Sequence, residues 1–253
     1  MVRKARQKSE SGIYHIIIRG INRQNIFEDE EDRLRFLQVL QKYKDKSGYE
    51  IHAYCLMGNH VHMLIKTCVE PLAQIMRRIC GSYVYWYNLK YSRIGNLFQD
   101  RFKSEPVENN NYFLTVLRYI HANPIKAGLV KDIKNYKWSS YSEYLGVAKL
   151  ITVDYTLNLL NTYGEKVLRD FIKYNNELNA NLCLDVDENI KISDHEARNI
   201  IKRISKTLNT TELQTLDIPI RNKCLKELKE KYNMSIRQIE RLTGISRGVV
   251  YKA

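Results

Sequence analysis

Apolar and polar positions along the first 125 residues change period several times, and each change marks an element. GIYHIIIRG (12–20) is a β-branched apolar run that predicts a strand. IFEDEEDRLRFLQVLQKYKDKSG follows, with an acidic start and Phe36, Leu37 and Leu40 at helical spacing, and predicts an amphipathic helix ending near Gly48. YEIHAYCLM (49–57) and HVHMLIKT (60–67) are strand-like runs separated only by Gly58 and Asn59, the punctuation of a hairpin. From Pro71 to about Lys90, Leu72, Ile75, Met76, Ile79 and Tyr83 recur at three and four residues and predict a second helix. RFKSEPVE (101–108) reads as a returning strand, and NNNYFLTVLRYIHAN (109–123) as a third helix, opened by Asn caps and limited by Pro124. This order predicts an α+β fold, a ferredoxin-like antiparallel sheet with helices on one face.

Beyond about residue 151 the periodicity is helical. NNELNANLCLDVDENIKISD (175–194) is polar and acidic and reads as a linker. SIRQIERLTGISRGVVYKA (235–253) predicts a helix, a tight turn at Gly244 and a second helix capped by Ser246, the pattern of a helix-turn-helix in an all-α C-terminal domain. Ile239, Leu242, Ile245 and Val250 would pack the two helices together and leave Arg247, Tyr251 and Lys252 to face a DNA groove. Glu240 departs from the pattern, because a small Ala is usual there; a packing hairpin without DNA contact is the competing reading. The expected division is 1–148, a linking region 149–194, and 195–253.

Charge sharpens this picture. The 253 residues carry a formal net charge of +13. Residues 1–150 hold 24 basic and 14 acidic side chains, 151–200 hold 5 and 9, and 201–253 hold 12 and 5. Two basic blocks flanking an acidic middle favour nucleic acid, through phosphate contacts and counterion release. A hydrophobic share of 44% with only 4 Pro excludes a disordered polyelectrolyte. No apolar run approaches the ~20 residues of a membrane helix, so a cytoplasmic protein without membrane partners is expected. The five cysteines are scattered and never form CxxC, which argues against a disulfide framework or a zinc knuckle.

His60 and His62 stand two apart in a strand, so their imidazoles leave the same face and can share one divalent ion. Tyr119 and Asn123 are four apart on one helical face. If that face meets the histidines, Asn123 completes a metal site and Tyr119 stands beside it as a nucleophile; the competing reading makes Asn123 an ordinary helix cap. A phenol, with an ordinary pKa near 10, needs positive charge nearby to attack at neutral pH. Arg101, Lys103 and Lys126 flank the region and are candidate phosphate contacts. Tyr112, one heptad before Tyr119, makes a two-tyrosine mechanism geometrically conceivable. Tyr83, Tyr85, Trp86 and Tyr87 suit base stacking or, more commonly, core packing. His52 and Cys55 raise a zinc alternative, but strict alternation puts them on opposite faces, so only one could join the histidines.

The strings YHIIIRGINRQNIF (14–27), AYCLMGNHVHMLI (53–65), GNLFQDRFKSEPV (95–107), YIHANPIKAGLV (119–130) and YKWSSYSEYLG (136–146) carry a family resemblance. In order and spacing the chain resembles the REP-associated tyrosine transposases, a branch of the single-tyrosine HUH nucleases, over nearly all of residues 10–148. The resemblance implies His60 and His62 as metal ligands, Tyr119 as nucleophile, and Asn123 where related transposases carry a metal-ligating Gln one methylene longer. It further implies Mg²⁺ or Mn²⁺, hairpin-bearing single-stranded DNA, and a covalent 5′-phosphotyrosine with a free 3′-OH. The C-terminal helices are expected to add duplex recognition, and the chain to act as a monomer or homodimer. A non-catalytic DNA-binding regulator and a relaxase or replication initiator are the alternatives; no GxxxxGKS loop marks a helicase motor.

Overall fold

The computed structural model describes residues 6–160, 165–176, 183–184, 194–232 and 234–253. The chain divides into two compact units, Met1–Val186 and Asp187–Ala253. Most of the linker expected over 175–194, and the first five residues of the basic N-terminus, lie outside the described residues.

In the first unit the order is β1 (Ile13–Arg19), α1 (Glu30–Ser47), β2 (Glu50–Leu56), β3 (His60–Lys66), α2 (Leu72–Lys90), β4 (Lys103–Pro106) and α3 (Asn110–Lys126). The strands form one antiparallel sheet in the order β2-β3-β1-β4. That is the βαββαβ arrangement the hydrophobic periods predict. Short helices α4 (Tyr141–Leu145), α5 (Asp154–Leu159) and α6 (Glu165–Asn176) complete the unit.

Local chemistry fixes the helix ends. At the start of α1, Asp29 accepts from the Asp32 N–H while Asp32 accepts from the Asp29 N–H, a reciprocal capping box. Gly48 closes the helix in the left-handed region at φ 59°, where a Cβ would be strained. Asp32 is fully buried and also receives Lys90 and the Tyr91 hydroxyl, which ties α1 to the end of α2.

The helices do not all lie on one face of the sheet. Residues directly opposite in antiparallel strands share a face, so the pairs Ile17↔His62, Arg19↔His60, His15↔Leu64, His15↔Glu105 and Ile17↔Lys103 define a single surface. This surface meets α3, because Tyr119 stands edge-on to His15 and His62. The opposite surface carries Ile16, Ile18, Val61, Met63 and Ile65, all buried beneath α1 and α2. Phe27, Phe36 and Tyr83 interlock there, and Tyr87 is buried beside them. Tyr83 and Tyr87 are therefore core residues, whereas Tyr85 is exposed.

Pro124 lies inside α3 rather than ending it. Its ring removes the N–H that the Ile120 carbonyl would otherwise accept. The side chain of Asn123 compensates: Nδ2 donates to the Tyr119 carbonyl at 2.8 Å and reaches toward the Ile120 carbonyl at 3.5 Å. The outer edge of β2 is covered by residues 138–140, with the Leu56 N–H donating to the Trp138 carbonyl and the Ser140 N–H to the Tyr54 carbonyl.

His121 fastens α3 to this cover and to α6. Asn175 donates Nδ2 to the Phe171 carbonyl, so its oxygen faces His121 Nδ1 at 3.0 Å, and His121 Nε2 meets the Ser140 hydroxyl at 2.9 Å. Ser, His and Asn in hydrogen-bonded series suggest a hydrolytic triad. All three are buried, however, with Tyr141, Tyr144 and Phe171 around the ring, so the series is a clamp. Burial lowers the His121 pKa to about 4.

The second unit contains α7 (Asp194–Ser205), α8 (Ile218–Glu230), α9 (Ile236–Thr243) and α10 (Arg247–Lys252) around its own core of Ile201, Leu213, Leu225, Leu228, Ile239, Leu242 and Val250. The Ser235 hydroxyl accepts from the Gln238 N–H at the start of α9, and Gly244 ends that helix at φ 77°.

The buried neutral histidines predict acid lability. An unfolded His has its ordinary pKa near 6.5, so between about pH 6.5 and 4 the unfolded chain binds the proton that folded His121 refuses. Stability should fall with falling pH across that window, by up to about 1.4 kcal/mol per pH unit for this residue. Thermal melts should show a shallower acid limb for His121→Gln than for the wild-type chain; equal slopes would contradict the assignment.

Candidate active site

The site begins in the β2–β3 turn. The Gly58 carbonyl accepts the Ile26 and Phe27 N–H groups, and the Met57 N–H donates to the His60 carbonyl, which pins the start of β3 at His60. His62, two residues on, lies between Ile17 of β1 and Cys55 of β2. His60 and His62 thus leave one face, with ring centroids 5.0 Å apart.

A third histidine joins them. His15 stacks on His62 at 5.5 Å between centroids, with Nε2 3.2 Å from His62 Nδ1. Tyr119 closes the group from α3, its ring 5.6 Å from His62 and 5.7 Å from His15. Lys126, about two helical turns further along, holds its ammonium 4.1 Å from the centre of the Tyr119 ring. Lys103 lies on the same sheet face, in the row Lys103, Ile17, His62.

Burial, reinforced by His15, His60 and Lys126, holds the His62 pKa well below its ordinary value. The ring is therefore neutral at pH 7 and offers a lone pair. Its Nε2 is buried and makes no hydrogen bond among the described residues, as suits a nitrogen that meets a cation. Among those residues, no group of three or more His, Cys, Asp or Glu is arranged to hold a metal ion. A cation here would take two imidazoles and complete its shell with other oxygens. The Asn123 amide is committed to its own helix through Nδ2, which leaves only Oδ1 for such a role.

Several sequence candidates fall elsewhere. Arg101 is exposed and outside the strands. Tyr112 lies beside Glu105 and Cys183, where burial and the carboxylate push its phenol pKa up, the reverse of activation. The separation expected between His52 and Cys55 fails because β2 carries an irregularity between Ile51 and Ala53. His52 packs against Phe113 of α3, and Cys55 pairs with His62. Neither is disposed as a ligand: His52 Nδ1 meets the Thr152 carbonyl, and the Cys55 thiol, its pKa raised by burial, lies against the Met57 sulfur. In the second unit, Tyr251 and Lys252 are exposed, but Arg247 is paired with Glu240 across the turn.

The sequence reading missed His15 and Glu105. The available signal was alternation: His15, Ile17 and Arg19 share a face of β1, and only the strand register reveals that it is the face of His60 and His62.

Known proteins resemble the part of the chain that holds these residues. Residues 8–123 match the family model described as "Transposase IS200 like". Over that stretch the sequence is similar to the IS200-like transposases. A REP-associated tyrosine transposase of Escherichia coli (strain K12) is 24% identical over 102 residues, a stretch covering 40% of this chain and 59% of that protein. The solved structure of a REP-associated tyrosine transposase bound to a REP hairpin shares the fold, with a TM-score of 0.50 at 17% identity, covering 74% of this chain and all of that one. The matched stretch contains the whole sheet, the three histidines and Tyr119.

The helix-capping role of Asn123 has a measurable consequence. Asn123→Ala should lower the stability of metal-free protein in urea by about 1 kcal/mol, the worth of a typical hydrogen bond. Unchanged stability would remove that role.

Proposed function

We propose that the chain cleaves and rejoins hairpin-bearing single-stranded DNA through a covalent 5′-phosphotyrosine at Tyr119. His60, His62 and the Asn123 amide oxygen would hold a divalent cation, Mg²⁺ or Mn²⁺. The observation that carries this reading is the convergence of two neutral-capable imidazoles with a buried phenol under a lysine ammonium, in a domain of a transposase family. A relative is described as bound to a REP hairpin, which supports the substrate class.

Each residue then has a task. A cation bound at the imidazoles would withdraw charge from the scissile phosphate as the phosphorus becomes five-coordinate. Lys126 supplies the positive charge that favours loss of the Tyr119 proton. The phenolic oxygen attacks phosphorus, the bond to the 3′ oxygen breaks, and that oxygen leaves protonated as a free 3′-OH. Because a phosphodiester replaces a phosphodiester, attack by a 3′-OH on the phosphotyrosine reverses the step without ATP. Lys103, exposed on the same face, would grip a neighbouring phosphate; Arg101 lacks comparable support. A single strand can enter in line with the phenol, whereas a paired and stacked backbone is stiffer. In the second unit, Tyr251 and Lys252 would supply duplex contacts, with Arg247 released from Glu240 or left to brace the turn.

An end-labelled, hairpin-bearing oligonucleotide from the gene's flanks should give a protein-linked band on a denaturing gel with Mg²⁺ or Mn²⁺ and none with EDTA. Tyr119→Phe should abolish the band, and His62→Ala should reduce it by at least ~100-fold, as for loss of a group that stabilises a transition state. Hairpin binding without an adduct under every metal condition would favour the non-catalytic regulator.

A further inference from the structure

We infer that Glu105, His15 and Asn59 are positioning residues that fix where the protons of His62 and His60 reside, so that each ring carries its lone pair on Nε2. A neutral imidazole carries a proton on one nitrogen and a lone pair on the other, and the hydrogen bond made by one nitrogen decides the character of the other.

For His60 the neighbour is Asn59. The Asn59 Nδ2 group donates to the Arg23 carbonyl at 3.3 Å, which turns its oxygen toward His60 Nδ1 at 2.6 Å. An amide oxygen only accepts, so His60 Nδ1 carries the proton and Nε2 the lone pair.

For His62 the chain of contacts is longer. The Glu105 carboxylate accepts the Leu184 N–H at 3.0 Å and stands 3.8 Å from His15 Nδ1. Its negative charge favours the proton on that nitrogen, which makes His15 Nε2 the acceptor for His62 Nδ1 at 3.2 Å. His62 then has its lone pair on Nε2. The opposite tautomer would place an N–H at that buried atom, which has no acceptor among the described residues.

The strand register sets the three side chains of this relay: Glu105 is opposite His15 across β4 and β1, and His62 is two pairs further along β3. His15 thus acts through His62 rather than as a ligand, since its Nε2 is engaged there. The relay prepares imidazoles for a cation, so it rests on the proposed metal site.

The test uses full-length, ¹⁵N-labelled, metal-free protein at pH 7, in which long-range ¹H–¹⁵N spectra distinguish the two tautomers. His60 and His62 should both be in the Nδ1–H form. Glu105→Gln, a substitution at a partly exposed side chain, should move His62 toward the other tautomer and weaken Mn²⁺ binding by about 10- to 100-fold. Asn59→Ala should move only His60. A wild-type His62 in the Nε2–H form, or a Glu105→Gln protein with unchanged spectrum and unchanged Mn²⁺ affinity, would overturn the relay. The correct tautomers with no DNA adduct under any metal would instead leave the relay standing and sink the proposed reaction.

Discussion

Antiparallel register is the constraint on which the site depends. Once β1 lies between β3 and β4, Ile17 is opposite His62 and His15 is opposite Glu105, and the polar side chains His15, Arg19, His60, His62, Lys103 and Glu105 share one face. A shift of one residue in either pairing would turn the slipped strand's share of that set toward the apolar layer beneath α1 and α2. The continuous apolar alternation of Ile16, Ile18, Val61, Met63 and Ile65 on the other face opposes such a shift. The cost of burying imidazoles is thus met by the core on the reverse side of the same strands.

Helix α3 turns this surface into a site. It buries the histidine face, which keeps His62 neutral, and carries Tyr119 on the side that meets the rings. Extending past Pro124 also matters: the added turn carries Lys126 over the phenol, and the Asn123 amide binds the Tyr119 carbonyl and reaches toward the Ile120 carbonyl, which the proline leaves without a donor. Helix geometry, the position of Tyr119 and local charge are consequences of one short run, YIHANPIK.

Much of this was legible in the chain. Strand and helix periods predict the element order, and the spacing of His60 with His62 marks the face of β3 that Tyr119 meets from α3. What stayed hidden depended on pairing or on local exceptions. His15 looks like one residue of an apolar strand until β1 is paired with β3. The irregularity at His52 defeats simple alternation, and Pro124 reads as a stop although a side chain repairs the helix around it. Arg247 looks available for a groove, whereas Glu240, the residue that departs from the expected pattern, holds it across the turn.

The central claim is that one phenol, Tyr119, becomes the covalent link to DNA. Trypsin cleavage after Arg118 and Lys126 yields Tyr119–Lys126, which contains a single tyrosine, while Tyr112 falls in the preceding peptide. Mass spectrometry of the adduct formed with hairpin DNA and Mn²⁺, after nuclease digestion, should locate the residual nucleotide on Tyr119–Lys126. A nucleotide on the peptide bearing Tyr112, or on any other residue, would contradict the account.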